Sequence, residues 1–467
     1  MLRLSSYLII SEHLMNGGYA ILSGVTGAME LINEDLYQIL SRLSFDNDPR
    51  SRCIDNGCLP PEIMATFVKR GYITEYSHED EREIVKKIAA DLHEISTKQC
   101  DVVIVPDLDC NYRCDYCYER PLQNKIKEHK IKMDKPCVDN FFHSIDLLTA
   151  ESRYISGTVT LYGGEPLRAE NKEIVDYIVA KGAEKGYIFN AVTNGHNLDA
   201  YLGLLGREKI AHIQITIDGP KEVHDRRRIA IDGSSSYEKI MNNMRQAISE
   251  TDVLIGIRVN LDGDNYRAFG ELMNTFDQEG WFANNRIKVG AAIVTQRDQR
   301  GAIYPILDIN VVKAELFDVM KKYPKIIIGG HQAADRDEIF SLLASDMLYS
   351  FRSRFCASCS GMYIFLPDGT ISACWDSVGE ECSYIGSYSE DGLFLDMDKI
   401  SYRFNRSVVN ISACLDCKYC LVCAGGCPQH AEYNTHDFYQ PHCGDFPDTF
   451  PWVLAEAVEK YLQAHCL

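Results

Sequence analysis

Three cysteines fall within eight residues, Cys110-Asn-Tyr-Arg-Cys114-Asp-Tyr-Cys117, just after the aliphatic run Val102-Val103-Ile104-Val105. Three thiolates on one short loop suit three irons of a cubane cluster, and no fourth cysteine stands nearby in sequence to take the last corner. An iron left open in this way can bind substrate. Structural zinc is the competing chemistry, but it takes four ligands, as C-x2-4-C pairs with a remote second pair. Of the 18 cysteines, eleven more lie between Cys356 and Cys466. In a chain of this length with no signal peptide, spacing this close reads as metal binding rather than as a disulfide framework. Within that group Cys417-x2-Cys420-x2-Cys423-x3-Cys427-Pro428 fits the bacterial ferredoxin run, which would make Cys420 a ligand.

The elements that must carry these loops follow from periodicity. The chain has 467 residues, 46% hydrophobic and 25% charged, which is a globular composition with room for more than one domain. Its net charge of -19 excludes an overall basic field for nucleic acid. No apolar run approaches the roughly 20 residues that span a bilayer, and the start lacks a long apolar h-region, so a soluble cytoplasmic protein is expected. Strands are predicted at 102–105, 157–162, 187–193, 212–217, 254–260 and 287–294, with helices such as 172–181 and 237–248 between them. Six such alternations predict an α/β fold with a parallel sheet and crossover helices, open or rolled into part of a barrel, whose chemistry gathers at the carboxyl ends of the strands.

Residues 1–97 read as a small α+β unit. Tyr7–Ile10 and Tyr19–Leu22 flank the turn signal Asn16-Gly17-Gly18. A helical pattern runs from Met29 through Leu43, a second helix opens at Pro60-Pro61, and a strand follows at Tyr72–Thr74. The charged segment His78 to Glu94 reads as a solvated linker helix. Helices followed by strands in this order resemble a winged helix. After about residue 300 the alternation fades, and Trp452 to Leu462 has the spacing of one amphipathic helix.

The C-x3-C-x2-C spacing, with an aromatic residue before the last cysteine, resembles the signature of the radical S-adenosylmethionine (SAM) superfamily. Further matches follow in order: Gly163-Gly164-Glu165-Pro166, Thr193-Asn194-Gly195, Thr216 with Ile217-Asp218-Gly219-Pro220, His224-Asp225 with Arg228, and Arg258-Val259-Asn260. Each falls at or near a predicted strand end. The resemblance implies a 4Fe-4S cluster on Cys110, Cys114 and Cys117 and SAM across the barrel mouth. The Gly163–Pro166 backbone would then hold the SAM amino group, and Arg228 or Arg258 its carboxylate. Thr193, Asn194, Thr216 and Asp218 complete the implied cofactor contacts. One electron entering the sulfonium would release a 5′-deoxyadenosyl radical.

Cys359, Gly369 with Cys374, Cys414-x2-Cys417-x5-Cys423-x3-Cys427 and Cys443 resemble the SPASM domain of radical SAM peptide and protein maturases. The resemblance implies two auxiliary 4Fe-4S clusters, three clusters in all. Cys356, Cys359, Cys374 and Cys427 would serve the first, and Cys414, Cys417, Cys423 and Cys443 the second. Without Cys356 the first auxiliary cluster would keep an iron free for a substrate thiol. This pattern also accounts for Cys414, Cys443 and the Gly369-Cys374 element, which the ferredoxin run leaves out. On this reading Cys53, Cys58, Cys100, Cys137, Cys382, Cys420 and Cys466 serve packing or surface roles.

Together, over about residues 99 to 445, these matches imply a (β/α)6 partial barrel at 98–300. A winged-helix-like peptide recognition element precedes it at 1–97, a bridging region follows at 301–355, and the auxiliary-cluster domain occupies 356–467. The implied activity is maturation of a ribosomally made precursor peptide. Its leader would be bound by the first module and a crosslink installed in its body, a Cys thioether first and a carbon-carbon bond next. A small electron donor such as flavodoxin or ferredoxin is implied, with no nucleic-acid or membrane partner. The alternatives are a formylglycine-forming sulfatase-type maturase and, from another class, an iron-sulfur winged-helix regulator.

Overall fold

A computed structural model describes residues 2–15, 17–44, 58–117, 119, 132–150, 153–294, 307–328, 332–345 and 347–465. Asn16 of the expected hairpin turn, Cys53 and Cys466 lie outside the described residues. The chain divides into two compact units, one of residues 1–97, 331–359 and 405–467, the other of residues 98–330 and 360–404. The Cys-rich stretch from Cys356 onward is therefore shared between both.

In the first unit the strands β2 (Leu8–Ile10), β3 (Tyr19–Ser23) and β4 (Met29–Ile32) form an antiparallel sheet, and β1 (Arg3–Leu4) pairs with β5 (Ile73–Thr74). The expected helix from Met29 onward begins only at Glu34 and ends at Ser44. Asn33 decides this: its Oδ1 accepts from Leu36 N at 3.0 Å, so the helix opens there and the residues before it form β4 against β3. Among the described residues β5 alone lies between the helix Pro61–Lys69 and the helix His78–Ser96, where a strand pair was expected. The helix His78–Ser96, expected to be a solvated linker, is a core element. Ser77 and Asp80 form its capping box, and Glu81, 3% exposed, pairs with Arg3 at 2.6 Å. Its Val85 and Ala89 pack in one cluster with Tyr7, Val408, Ile411, Cys414, Leu415, Cys420 and Leu421. The apolar residues sit too sparsely among charges for periodicity to show this face. The closing helix runs Phe446–His465, and its Phe450, Leu454 and Val458 join Leu14, Leu22, Ile339 and Leu342.

The second unit is built on an eleven-stranded sheet. Six predicted strands are present as β6 (Gln99–Ile104), β7 (Tyr154–Leu161), β8 (Ile188–Thr193), β9 (Ile210–Thr216), β10 (Leu254–Leu261) and β11 (Ile287–Ile293), all parallel neighbours in order. A short strand β12 (Ile327–Ile328) extends the β11 edge in parallel. At the other edge β13 (Met362–Phe365) pairs in parallel with β6, and β14 (Thr370–Ser372), β15 (Tyr384–Ser389) and β16 (Gly392–Leu395) continue antiparallel. Alternation sends Ile213 and Ile215 of β9, and Ile255, Ile257 and Val259 of β10, into the buried core. The polar intervening positions, His212, Gln214 and Arg258, share the opposite face. Parallel strands place all their carboxyl ends on one rim, which is where the cysteine loop emerges.

Candidate functional site

β6 leads into the loop that carries Cys110, Cys114 and Cys117. Its path is fixed by an antiparallel bridge between Tyr112 and Ala230, with Arg113 N donating to Ile229 O at 2.8 Å and Ile231 N to Asn111 O at 2.9 Å. Cys110 N donates to Asp109 Oδ1 at 2.9 Å, and Tyr112 N to Cys110 Sγ at 3.3 Å. Cys110 and Cys114 are buried, and Cys117 is half-buried. Burial pushes all three thiols up, and for Cys110 the carboxylate of Glu165 and the other two sulfurs add to it. Three soft donors this close destabilise one another's thiolates unless a metal centre takes up the charge. A cubane takes each thiolate on a separate iron, and this loop supplies three sulfur donors that act on one another electrostatically. The donor set fits the cluster.

The glycine pair after β7 has a reason that sequence reasoning missed. Gly163 adopts φ +128°, and a Cβ there would lie 2.6 Å from Asp107 O. A Cβ on Gly164 would lie 2.5 Å from Leu108 O and closer still to Asp109 O. Gly164 N donates to Asp107 O at 3.2 Å and Glu165 N to Asp109 O at 3.0 Å. The turn is thus pressed onto the backbone that leads into Cys110, and Arg168 Nη1 clasps Asp109 at 2.9 Å and Asp107 at 3.3 Å from the same side. Glu165, 2% exposed, accepts from Leu167 N at 2.9 Å, Thr193 Oγ1 at 2.6 Å and Asn194 N at 2.6 Å. Its side chain therefore braces the ends of β7 and β8 against each other. Pro166 O accepts from Asn171 Nδ2 at 3.3 Å. Asn194 Nδ2 reaches Asn111 Oδ1 at 2.7 Å and Cys110 Sγ at 3.9 Å, which ties the third strand end to the cysteine loop.

Tyr116 joins the remaining predicted residues. Its hydroxyl donates to Asp218 Oδ2 and accepts from Arg228 Nη1 at 2.6 Å and Asn260 Nδ2 at 3.3 Å. Asp218, 1% exposed, also accepts from Asn260 N at 2.9 Å, while its own N–H donates to His224 Nδ1 at 3.1 Å. Complete burial, with the positive charges of Arg228 and Arg227 adding to it, holds His224 neutral, its pKa drawn down to about 3. Arg228 keeps a buried Nε without a hydrogen-bond acceptor, as do Arg227 Nε and His224 Nε2 beside it. Arg258 stands exposed on β10, its Nε on Asn260 Oδ1 at 2.8 Å. Thr216 is buried at the end of β9. Neighbouring Arg227 is spent on Asp262 in a buried bidentate pair at 3.1 and 2.8 Å. A cavity of about 410 Å³ opens beside this network, lined by Asp115, Tyr116, Arg226, Arg227 and Asp264. The sequence flagged position 116 only as an aromatic, and nothing in its spacing showed that four elements meet at its hydroxyl.

The remaining cysteines divide by unit. Cys374 is buried after β14 in the second unit. In the first unit Cys359 N donates to Cys356 O at 3.2 Å, and Cys414, Cys417 and Cys420 follow one another through N–H to carbonyl bonds of 3.0 and 2.9 Å. Burial raises the thiols of Cys414, Cys417, Cys420 and Cys423, and neighbouring sulfurs add to it: Cys423, Cys417 and Cys443 at Cys414, Cys443 at Cys417, Cys443 and Cys417 at Cys423, and Cys414, Cys417 and Cys423 at Cys420. Cys420, 2% exposed, sits in the apolar cluster with Tyr7, Val85 and Ala89. Cys427 precedes the helix Pro428–Thr435.

Residues 105–276 match the model of the Radical SAM superfamily. The chain is 22% identical over 439 residues to the radical SAM cyclopropyl synthase TigE of Paramaledivibacter caminithermalis, covering 88% of this chain and 86% of that one. It is 22% identical over 347 residues to the cysteine-type anaerobic sulfatase-maturating enzyme of Clostridium novyi, covering 72% of this chain and 90% of that one. Among solved structures it is similar to anSMEcpe with bound AdoMet, with TM-score 0.55, 14% identity, and 79% and 97% of the two chains covered. Streptococcus suis SuiB bound to S-adenosylmethionine gives TM-score 0.51 at 13% identity over 94% and 98% of the chains, and SuiB bound to precursor peptide SuiA gives 0.50. These likenesses show a radical SAM α/β fold.

Proposed function

From the premise that this chain is an enzyme of the radical SAM superfamily, we propose that it matures a ribosomally made precursor peptide by closing a crosslink within it. The observation that carries the reading is the clamp of the Gly163-Gly164 turn onto the loop of Cys110, Cys114 and Cys117, with Arg228 Nε left over beside it. When bound, a 4Fe-4S cluster with SAM supplies one-electron cleavage of SAM to a hydrogen-abstracting carbon radical. The protein's own part is to hold and exclude. Cys110, Cys114 and Cys117 hold three irons, and Arg228, with Arg258 as the second candidate, receives the SAM carboxylate. Thr193, Asn194, Thr216 and Asp218 frame the cofactor on the rim of β8 to β10. Tyr116 holds Arg228 in place by accepting from its Nη1.

Auxiliary clusters on Cys356, Cys359, Cys374 and Cys427, and on Cys414, Cys417, Cys423 and Cys443, belong to the same proposal as a SPASM domain. So do leader recognition by residues 1–97, an electron donor of the flavodoxin or ferredoxin kind, and a cytoplasmic location. Among the described residues no helix is long and apolar enough to cross a membrane. Similarity to SuiB, solved with its precursor peptide, supports a peptide substrate. The bond is a Cys thioether or a carbon-carbon link, the latter supported by the likeness to a cyclopropyl synthase. A second reading, conversion of a cysteine to formylglycine, draws on the likeness to a sulfatase-maturating enzyme. An enzyme of this superfamily leaves the regulator alternative without support.

Mass spectrometry of a co-expressed precursor separates these. A crosslink removes two hydrogens and keeps the sulfur, and consumption of an alkylatable thiol distinguishes thioether from carbon-carbon. Formylglycine made from cysteine exchanges sulfur for oxygen and also loses two hydrogens. An unmodified peptide alongside abundant 5′-deoxyadenosine would contradict the peptide assignment. Deleting residues 1–97 is not a clean test of leader binding, because Tyr7, Val85 and Ala89 share a core with residues 408–424.

A further inference from the structure

Arg406 is 1% exposed, and its guanidinium is a cation that can only donate hydrogen bonds. Its Nε donates to Phe438 O at 2.5 Å, Nη1 to Gly426 O at 3.1 Å, and Nη2 to Gly425 O at 3.3 Å and Gln440 O at 2.9 Å. All four acceptors are neutral carbonyls. Of the other buried guanidiniums, Arg3 faces Glu81 and Arg227 faces Asp262, while Arg403 donates to the carbonyl of Cys382 at 3.3 Å. Asp437, the carboxylate close enough to feel Arg406, turns Oδ1 to Tyr439 N at 2.9 Å and Oδ2 to Gln440 Nε2 at 2.9 Å. A cation taken out of water without an opposing charge costs several kcal/mol, and carbonyl dipoles return only part of it. Its direct hydrogen-bond partners answer that charge only with dipoles, so what else lies near it matters.

Its position says what. Gly425 and Gly426 lie between Cys423 and Cys427, and Phe438 and Gln440 lead to Cys443. Arg406 therefore bolts together the two loops that carry these cysteines, and His442 N adds a bond to Gly425 O at 3.0 Å. Gly426 is pressed against the His442 backbone so tightly that no Cβ fits, and the Cβ direction of Gly425 ends 3.7 Å from Cys414 Sγ. The guanidinium is thus one peptide unit from the sulfur set. A cubane on four thiolates carries net negative charge that grows on reduction, and its potential follows that charge and its hydrogen bonds.

We propose that Arg406 is the built-in counter-cation of the cluster on Cys414, Cys417, Cys423 and Cys443, fixing its two ligand loops and raising its reduction potential. This rests on the reading of those four cysteines as cluster ligands. The test uses the full chain, reconstituted anaerobically on a background with Cys110, Cys114 and Cys117 each changed to alanine, so that only auxiliary clusters report. Redox titration followed by electron paramagnetic resonance compares unaltered Arg406, Arg406→Gln and Arg406→Lys, with iron counted per chain. Arg406→Gln should disfavour reduction of one cluster about tenfold, a fall of about 59 mV for one electron, while Arg406→Lys keeps the original midpoint. Unchanged midpoints in Arg406→Gln at full iron content would overturn the proposal and leave Arg406 a purely structural tie. Should Arg406→Gln not accumulate folded, Arg406→Lys still tests it: a midpoint lowered by about 59 mV or more despite the retained charge overturns it. The underlying reading is tested separately by Cys443→Ala, since loss of no signal in that variant removes the cluster itself from the site.

Discussion

Gly164→Ala is the most economical perturbation of the site, because Gly164 does not use a positive φ and the substitution acts by volume alone. The added methyl would lie 2.5 Å from Leu108 O and 2.6 Å from Asp109 C, where ordinary contact begins at 3.4 Å. Those atoms are backbone of the segment entering Cys110, held by Glu165 N at Asp109 O and by Arg168 at the Asp109 carboxylate, so they cannot rotate away. The loop must retreat by about 0.9 Å, the difference between 3.4 and 2.5 Å. A misplacement of that order costs about 10²-fold in rate, and overpacking of this kind costs about 1–3 kcal/mol in stability. The assay is 5′-deoxyadenosine formation from SAM with a chemical reductant after anaerobic reconstitution, alongside iron content and thermal unfolding. Gly203→Ala is the control, since a Cβ there meets nothing within 4 Å and no positive φ is involved; it should be neutral or stabilising by about 0.4–1 kcal/mol. Cofactor cleavage by Gly164→Ala within twofold of the parent would refute the claim that this turn sets the cysteine loop.

Arg228→Gln should weaken SAM binding about 10- to 100-fold, the worth of a charge-assisted carboxylate contact, as read by equilibrium binding to the reconstituted protein; unchanged affinity would assign the carboxylate elsewhere. Arg227→Met leaves Asp262, 0% exposed, without its partner and should cost about 3–5 kcal/mol in chemical denaturation, whereas pairing it with Asp262→Leu should recover most of that loss. His224, held neutral with its pKa down at about 3, takes up a proton in the unfolded chain below its ordinary value of 6.5. Stability from this group is complete above about pH 6.5 and is lost as pH falls toward 3, amounting to about 1.3 kcal/mol between pH 7 and 5.5. His224→Gln should flatten the unfolding curve over that interval, and an equally steep profile in the variant would contradict the assignment.

The six central strands were legible because parallel strands with helices on their outer face repeat an aliphatic run at intervals of 22 to 55 residues, and each crossover is local. Long-range pairing was not. β13 joins β6 across more than 250 residues, and no local pattern announces such a partner. The charged helix His78–Ser96 misled for a related reason: its buried face is narrow and its counterpart, residues 408–424, lies more than 300 positions away. Motif spacing located Cys110, Cys114, Cys117, Gly163, Gly164 and Arg228, but not how they act on one another. Gly164 is a glycine for the sake of a neighbouring backbone, Glu165 is a brace, and Tyr116 gathers Asp218, Arg228 and Asn260 at one oxygen. Such roles emerge only once loops from different strands share the same rim.

The account turns on the chemistry of one loop. Parent protein and a variant with Cys110, Cys114 and Cys117 all changed to alanine, reconstituted side by side without oxygen, should differ by about one cubane's worth of iron. Only the parent should convert SAM to 5′-deoxyadenosine. Equal turnover in both, or zinc in place of iron on the parent, would contradict it.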